Sequence, residues 1–277
     1  KNIKVEINLI KKKIKFKKLD NKKINIFSFS SKSNEENTYK SLKYAYDFCY
    51  KKICIGIITL PLRKDLIKIK ISNRFTGQTE FFQKIDKKKY SNMILYHKKL
   101  IISTLTTHVE LRKISKIISN KIFLYNQIKN LNNVLKKDFN IINPKILISG
   151  INPHAGENGL LGKEEQRVIL PIINKLKNKG VNIDGPKSAD SLLIKKNLKK
   201  YNCFLFIYHD QALIPFKYIS QFSGVNYTGN LDIIRTSPDH GTAYDLIGSN
   251  KISDRSLRNC KKLIGKIYKN RIINEKS

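Results

Sequence analysis

Short apolar runs alternate with longer amphipathic stretches along most of this chain, and that alternation restricts the fold more than any other feature. Residues 54–60, 100–105, 146–148 and 204–208 are apolar runs bounded by polar or Gly- and Pro-containing segments. Between them lie helical patterns at 109–120, 121–137, 163–179 and 189–199, and Lys179-Gly180 has the form of a helix C-terminus. Strands buried on both faces and separated by helices predict an α/β fold around a parallel sheet. Residues 35–51 also carry helical spacing, through Tyr39, Leu42, Tyr46 and Cys49, as do residues 254–270. The first 29 residues differ. Ile3, Val5, Ile7, Leu9, Ile14, Phe16, Ile24 and Ile26 alternate with polar residues, which predicts two or three antiparallel strands. No internal repeat or long linker interrupts the 277 residues.

Composition decides how the charge is read. Lys and Arg number 55 against 21 Asp and Glu, a formal +34 that would ordinarily raise nucleic-acid binding. However, 47 of the 55 are Lys, and Lys, Ile and Asn together make 118 of the 277 residues. All three can be encoded by A/T-only codons, and the excess falls on polar and apolar types alike, so it reads as a genomic bias. Phosphate and base recognition favours Arg, of which there are eight, and the Lys residues are spread over the whole chain. The expectation is a solvated Lys surface with no specific nucleic-acid partner and only weak polyanion binding at low salt. Forty per cent apolar residues suffice for a core. Cys49, Cys54, Cys203 and Cys260 include no C-x-x-C pair and are expected to be buried small hydrophobes. No apolar run approaches the roughly 18 residues of a membrane span, and residues 1–18 lack a signal-peptide core. The chain is therefore expected to be soluble and cytoplasmic, without a membrane partner. It begins at Lys1 rather than Met, which fits a sequence with further residues upstream.

The histidines stand at informative places. Three of five follow directly on predicted strands: His108 after 100–105, His154 after 146–148, and His209 after 204–208. Ligands of parallel sheets bind at the carboxyl ends of strands. Three imidazoles there would suit one divalent metal with open positions for substrate. A single His is more often a hydrogen-bonded structural residue, and spacing alone does not show that the three converge. A second cluster, Arg235-Thr236-Ser237-Pro238-Asp239-His240-Gly241-Thr242-Ala243-Tyr244-Asp245-Leu246-Ile247-Gly248, combines glycine, small and polar side chains in a way that suits close backbone approach to a ligand. It reads equally as a loop capping a helix. No G-x-G-x-x-G follows a strand and no G-x-x-x-x-G-K-[ST] is present, so a nucleotide would have to bind by another device.

Six motifs in order carry a resemblance. They are Phe75-Thr76-Gly77-Gln78-Thr79-Glu80-Phe81-Phe82; Thr106-Thr107-His108 with Leu111-Arg112; Gly150-Ile151-Asn152-Pro153-His154-Ala155-Gly156-Glu157; Gly185-Pro186 with Ala189-Asp190; Tyr208-His209-Asp210-Gln211; and Ile234-Arg235-Thr236-Ser237 with Asp239-His240-Gly241-Thr242-Ala243. From about residue 35 onward the chain resembles the 4-hydroxythreonine-4-phosphate dehydrogenase family of vitamin B6 biosynthesis, related to isopropylmalate and isocitrate dehydrogenases. The resemblance implies two α/β/α subdomains with the active site in the cleft between them. Residues 1–72 plus 230–277 would form the first, with the cofactor loop, and residues 73–229 the metal-binding, substrate-binding and dimerising second. It implies NAD-dependent oxidation and decarboxylation of 4-phosphooxy-L-threonine to 3-amino-2-oxopropyl phosphate, on the way to pyridoxal phosphate. His108, His154 and His209 match the metal ligands, which in the family come from two subunits of a homodimer. The expected division has His209 meeting His108 and His154 across the interface. The metal is Zn, Mg or Co. Gln78, Thr79, Lys217, Asn226 and Arg235 match substrate-binding positions, and Asp190 a carboxylate that assists proton transfer. Thr236, Asp239, His240, Gly241, Thr242, Ala243 and Asp245 would hold NAD or NADP.

The chain also departs from the family pattern. Residues 1–34 show no counterpart of the family's first strand and its Gly-Asp-Pro-Ala-Gly-Ile-Gly-like loop. Gln78 stands where the family has a substrate-contacting His, Asp232 replaces a Pro, and Gly229-Asn230 differ from the usual pattern before Arg235. Ile247 replaces a small residue, and Leu60-Pro61-Leu62-Arg63-Lys64 matches the family's Gly-Pro-x-x-Lys segment only loosely. Two other readings stay open. One is a dehydrogenase of another four-carbon phosphorylated acid, such as threonate or erythronate 4-phosphate. The other is a decayed homologue that binds without catalysis.

Overall fold

The computed structural model describes residues 6–11, 19–20, 22–28, 30–73, 75–242, 244, 248 and 252–276. Ile3, Val5, Ile14, Phe16, Ala243, Asp245 and Ile247 lie outside them. Strands β1 (Ile7–Lys11) and β2 (Ile24–Ser28) form a two-stranded sheet of their own. They run parallel, in register from Ile7↔Ile24 to Lys11↔Ser28, and not antiparallel as the alternation suggested. A period of two is the same for either direction. The intervening residues 12–23 are long enough for the return crossover that a parallel pair needs.

The order continues with α1 (Asn34–Tyr50), β3 (Ile57–Ile58), α2 (Lys64–Lys70), α3 (Gln78–Ile85), β4 (Asn92–His97), β5 (Leu100–Thr104), α4 (Leu111–Ile118) and α5 (Lys121–Lys137). Strand β6 (Ile146–Ser149) runs into a tight turn, Pro153–Gly159, then a π-helical stretch, Glu165–Ile169, then α6 (Leu170–Lys177). After β7 (Ile183–Lys187) and a single turn, Ala189–Ser191, come α7 (Lys195–Lys200), β8 (Cys203–Phe206), α8 (His209–Ser220), β9 (Val225–Gly229), β10 (Arg235–Pro238) and α9 (Arg255–Lys276). The helix expected over 189–199 is thus split in two, and only Ile57–Ile58 of the run 54–60 pairs as strand.

One eight-stranded sheet joins these elements, in the order β3-β10-β9-β4-β5-β8-β6-β7. It is mixed, not parallel: β4 pairs antiparallel with both β5 and β9, and β9 with β10. The block β5-β8-β6-β7 is parallel, as expected for strands joined by helices. The β4–β5 hairpin escaped the sequence reading because its turn is Lys98-Lys99, without the Asn-Gly type of signal. Both sheet faces are covered, which is why the central strands read as continuous apolar runs. Ile94, Ile148 and Leu205 pack on one face with α5, α6 and α9; Met93, Leu95, Leu147, Phe204 and Phe206 pack on the other with Phe216 of α8. A third cluster joins Leu42 and Tyr46 of α1 to Ile57, Ile67, Phe82 and Ile233. Cys203 and Cys260 are buried in the core as expected, whereas Cys54 is exposed and Cys49 half-buried. Among the described residues no helix is long and apolar enough to cross a membrane.

The fold brings β5, β8 and β6 side by side in parallel. His108, His209 and His154 therefore all leave the same edge of the sheet.

Candidate active site

A cavity of about 650 Å³ opens at that edge, within the usual range for small-ligand pockets. Gln78, Thr79, Lys217, Asn226 and Arg235 all line it, together with His108 and His209. Arg235 forms its floor. The side chain is 3% exposed, because β10 lies inside the sheet between β3 and β9. Its guanidinium donates to Thr59 Oγ1 (2.7 and 3.0 Å), Thr228 Oγ1 (3.0 Å), Thr79 Oγ1 (3.3 Å) and Gln78 Oε1 (2.6 Å). Every one of these acceptors is neutral.

The other buried arginine is a useful contrast. Arg271 is paired at 2.7 Å with the carboxylate of Asp138, which also accepts from Tyr227. A buried charge normally needs such a counter-charge. Arg235 has none within salt-bridge distance among the described residues, and burial pushes its ionisation down to about 10. It remains charged at neutral pH, facing the cavity with only neutral side chains as its hydrogen-bond acceptors among the described residues. That is the electrostatics of a site for a phosphate or carboxylate.

The two histidines on the rim are each oriented by a carboxylate. Their rings lie 5.7 Å apart between centroids. Nδ1 of His108 is 3.3 Å from Glu80 Oε1, and Nδ1 of His209 is 2.7 Å from Asp210 Oδ1. Against an ionised carboxylate Nδ1 is the donor, which leaves Nε2 of each ring as the lone-pair nitrogen. This is how protein metal sites orient imidazoles. Burial alone would raise the Glu80 carboxyl, but the bond from His108 and its own backbone N–H hold it below the usual range.

The third histidine is elsewhere. His154 lines a separate cavity of about 550 Å³ with Glu157, Gln166 and Pro186. Asp190 sits in the turn Ala189–Ser191, which packs against the turn that carries His154. Among the described residues of one chain, no group of three His, Cys, Asp or Glu is set to hold a metal ion. His108 and His209 come together within one chain, and His154 stands apart with Asp190. Gln211 fastens the strand ends between the two places. Its Oε1 accepts from Ile207 N–H and Ser149 Oγ, both at 3.0 Å, and its Nε2 donates to the Gly150 carbonyl at 3.0 Å.

Of the expected cofactor residues, Asp239, His240, Gly241 and Thr242 line the large cavity, and a Cβ added at Gly241 would meet nothing within 4 Å. Thr236 does not reach it. It is fully buried, with its hydroxyl on the Ile57 carbonyl at 3.4 Å, because it alternates with Arg235 across the pleat. Four contributors went unread in the sequence: Thr59 and Thr228 around Arg235, and Glu80 and Asp210 behind the histidines. The last two stood inside quoted motifs, next to residues that were noticed. The threonines gave no signal, since they meet Arg235 only through strand pairing.

Two expected results follow from these contacts. Gln78 spends its oxygen on Arg235 and its amide on the Leu60 carbonyl (2.9 Å). A neutral His offers one acceptor and one donor at that place. Gln78→His is therefore expected to change kcat by less than about tenfold, read in steady-state assays. Asp239 is the second. Its Oδ2 is buried without a hydrogen-bond partner, and burial pushes its carboxyl up to about 6, against the pull of Lys217 and His240. A raised carboxyl means the folded state binds the proton more tightly than the unfolded chain, so stability falls as pH rises from about 4 to about 6. The ionised form costs up to ~3 kcal/mol by that shift, or about 1–2 after its remaining solvent contact is discounted. Asp239→Asn should gain about 1–2 kcal/mol in urea unfolding near pH 7.5 and nothing near pH 4.

Comparison with known proteins decides the family. The family model described as pyridoxal phosphate biosynthetic protein PdxA matches residues 2–264. The chain belongs to this family. The match starts earlier than the motifs alone suggested, since it includes the N-terminal strands. A 4-hydroxythreonine-4-phosphate dehydrogenase of Bacteroides thetaiotaomicron is 36% identical over 216 residues, covering 78% of this chain and 59% of the relative. One from a Sulfurihydrogenibium species is 37% identical, covering 83% of this chain and 70% of the relative. The aligned part thus spans about six- to seven-tenths of these curated relatives. The solved structure of a 4-hydroxythreonine-4-phosphate dehydrogenase from Klebsiella pneumoniae superimposes with a TM-score of 0.81 at 27% identity, over 96% of this chain and 84% of the other. A putative one from Salmonella typhimurium gives 0.80 at 28% identity, over 95% and 83%. The mixed α/β architecture is therefore the family's own.

Proposed function

We propose that this chain is a 4-hydroxythreonine-4-phosphate dehydrogenase whose active site is assembled from two copies of the chain. The observation that carries the reading is Arg235: a buried guanidinium, pre-oriented by four neutral side chains, that faces the cavity with no carboxylate within salt-bridge distance among the described residues. The named relatives act on a small molecule with a phosphate and a carboxylate, and Arg235 with Lys217 would bind one of these groups. The cavity lies where Thr59 to Lys64 and Arg235 to Thr242 face His108, His209, Lys217 and Asn226. That supports the cleft between subdomains 1–72 plus 230–277 and 73–229.

His108 and His209 would hold a divalent metal, with His154 of a second copy as the third ligand. The two oriented Nε2 atoms suit Zn or Co better than the oxygen-preferring Mg, and the ion's chemistry when bound would be to polarise the C3 oxygen. The segment His240 to Thr242 would hold NAD or NADP, whose chemistry when bound would be to accept a hydride from C3. The protein's own work is positional and protonic. Arg235 and Lys217 hold one charged end of the substrate, so that C3 faces the cofactor. Asp190 of the second copy accepts the hydroxyl proton. The 3-oxo acid formed is a β-keto acid, which loses carbon dioxide because its carbonyl accepts the electron pair.

The test is NAD reduction by the purified protein, with and without added divalent metal, on 4-phosphooxy-L-threonine and on threonate and erythronate 4-phosphates. Metal-dependent reduction with the amino acid preferred is expected. Preference for a threonate or erythronate phosphate would move the assignment to that substrate. No reduction with any of them would favour the decayed homologue.

A further inference from the structure

His154 is carried on an unusual stretch of backbone. Five consecutive residues, His154, Ala155, Gly156, Glu157 and Asn158, have φ between +42° and +79°. Only one is glycine. A left-handed turn is unfavourable for every other L-residue and persists only where its surroundings impose it.

Against this turn packs Glu165, 2% exposed, at the start of the π-helical stretch. Its Oε1 accepts from the backbone N–H of Ile151 (2.8 Å) and of Asn152 (2.9 Å), and its Oε2 from the Asn152 side-chain amide (3.0 Å). The chain wraps closely around this carboxylate. A Cβ on Gly150 would stand 2.9 Å from Oε1, and one on Gly156 would stand 2.7 Å from Oε2. Gly150 and Gly156 thus both approach Glu165 closely, and a Cβ on Gly150 would also stand 2.8 Å from Ala155 Cα. No cation pairs with Glu165 within salt-bridge distance among the described residues, so its partners are hydrogen-bond donors alone. Three donors converge on it, a task suited to an acceptor-only group; a Gln would turn one N–H₂ toward another donor. A π-helical turn, uncommon and often found at functional sites, sets this side chain inward.

We propose that Glu165 is a positioning residue: it imposes the left-handed turn and so holds His154 where it completes the metal site of a second copy. This rests on the reading of His154 as a ligand. The test is titration of the metal-free full-length protein with Co²⁺, read by its visible absorption, with inorganic phosphate binding measured in parallel. His154→Ala tests the underlying reading. Glu165→Gln, which keeps shape and loses the charge, is expected to bind Co²⁺ about ten- to a hundred-fold more weakly, the usual effect of removing a ligand's support. Its circular dichroism and phosphate affinity should be unchanged. If His154→Ala weakens Co²⁺ binding while Glu165→Gln lowers only the melting temperature, Glu165 is merely structural and the proposal falls. If His154→Ala leaves Co²⁺ binding unchanged, the ligand reading fails and the positioning role with it. Should Glu165→Gln not fold, Asn152→Ala keeps both backbone donors to Oε1 and removes the amide that joins Glu165 Oε2 (3.0 Å) to Glu164 Oε2 (2.9 Å). At least threefold weaker Co²⁺ binding then supports the role, and unchanged binding overturns it.

Discussion

Arg235→Ala is expected to lower kcat/KM by about a hundred-fold, close to 3 kcal/mol, with NAD affinity changed less than about threefold. The size follows from where the charge sits. Arg235 is buried, and its interaction with a bound phosphate or carboxylate is little screened by water. The cost to stability should be smaller, about 1–3 kcal/mol. Five hydrogen bonds to Thr59, Thr79, Thr228 and Gln78 are lost, but so is an uncompensated buried charge. Arg235→Lys should recover only part of the activity. An ammonium restores the charge but not the fork that reaches Thr59, Thr228 and Gln78 together. Steady-state kinetics with separate NAD titration checks this. Loss of NAD affinity in Arg235→Ala would move the residue to the cofactor side of the cavity.

Mixing inactive subunits gives the second large effect. His108 and His209 share one cavity, and His154 lines another. If two copies complete each other in a symmetric dimer, His108→Ala and His209→Ala chains damage the same half and cannot rescue one another. Either one mixed with His154→Ala should regain about a quarter of wild-type activity. Half of the dimers are then mixed, and each of those keeps one intact site of two. The alternative division, with His209 opposite both other ligands, predicts rescue between His108→Ala and His209→Ala. That pair therefore discriminates. No rescue in any combination, after subunit exchange is verified by mass, would count against shared sites.

Much of the site's chemistry was legible in the residues themselves. Strand periodicity placed His108, His154 and His209 after strands, and the parallel block β5-β8-β6-β7 does bring all three to one edge of the sheet. Local patterns of this kind survive folding because they follow from backbone geometry, which each segment carries alone. The Lys-rich charge also read as surface rather than site, since it tracked composition everywhere along the chain.

Other features belong to the tertiary structure alone. The direction of β1 against β2 and the mixed pairing around β4 and β9 leave no trace in periodicity, because alternation is the same for parallel and antiparallel neighbours. Thr59 and Thr228 became partners of Arg235 through pairing between residues more than a hundred positions apart, in the first case. The partition of His154 and Asp190 away from His108 and His209 depends on distances that motif order does not encode. What the sequence by itself determined was which residue types leave which strand end, since that depends on local period and turn chemistry. Which of them meet, and whether a charge such as Arg235 finds a counter-charge, was decided only by packing, since burial and pairing are properties of the whole fold.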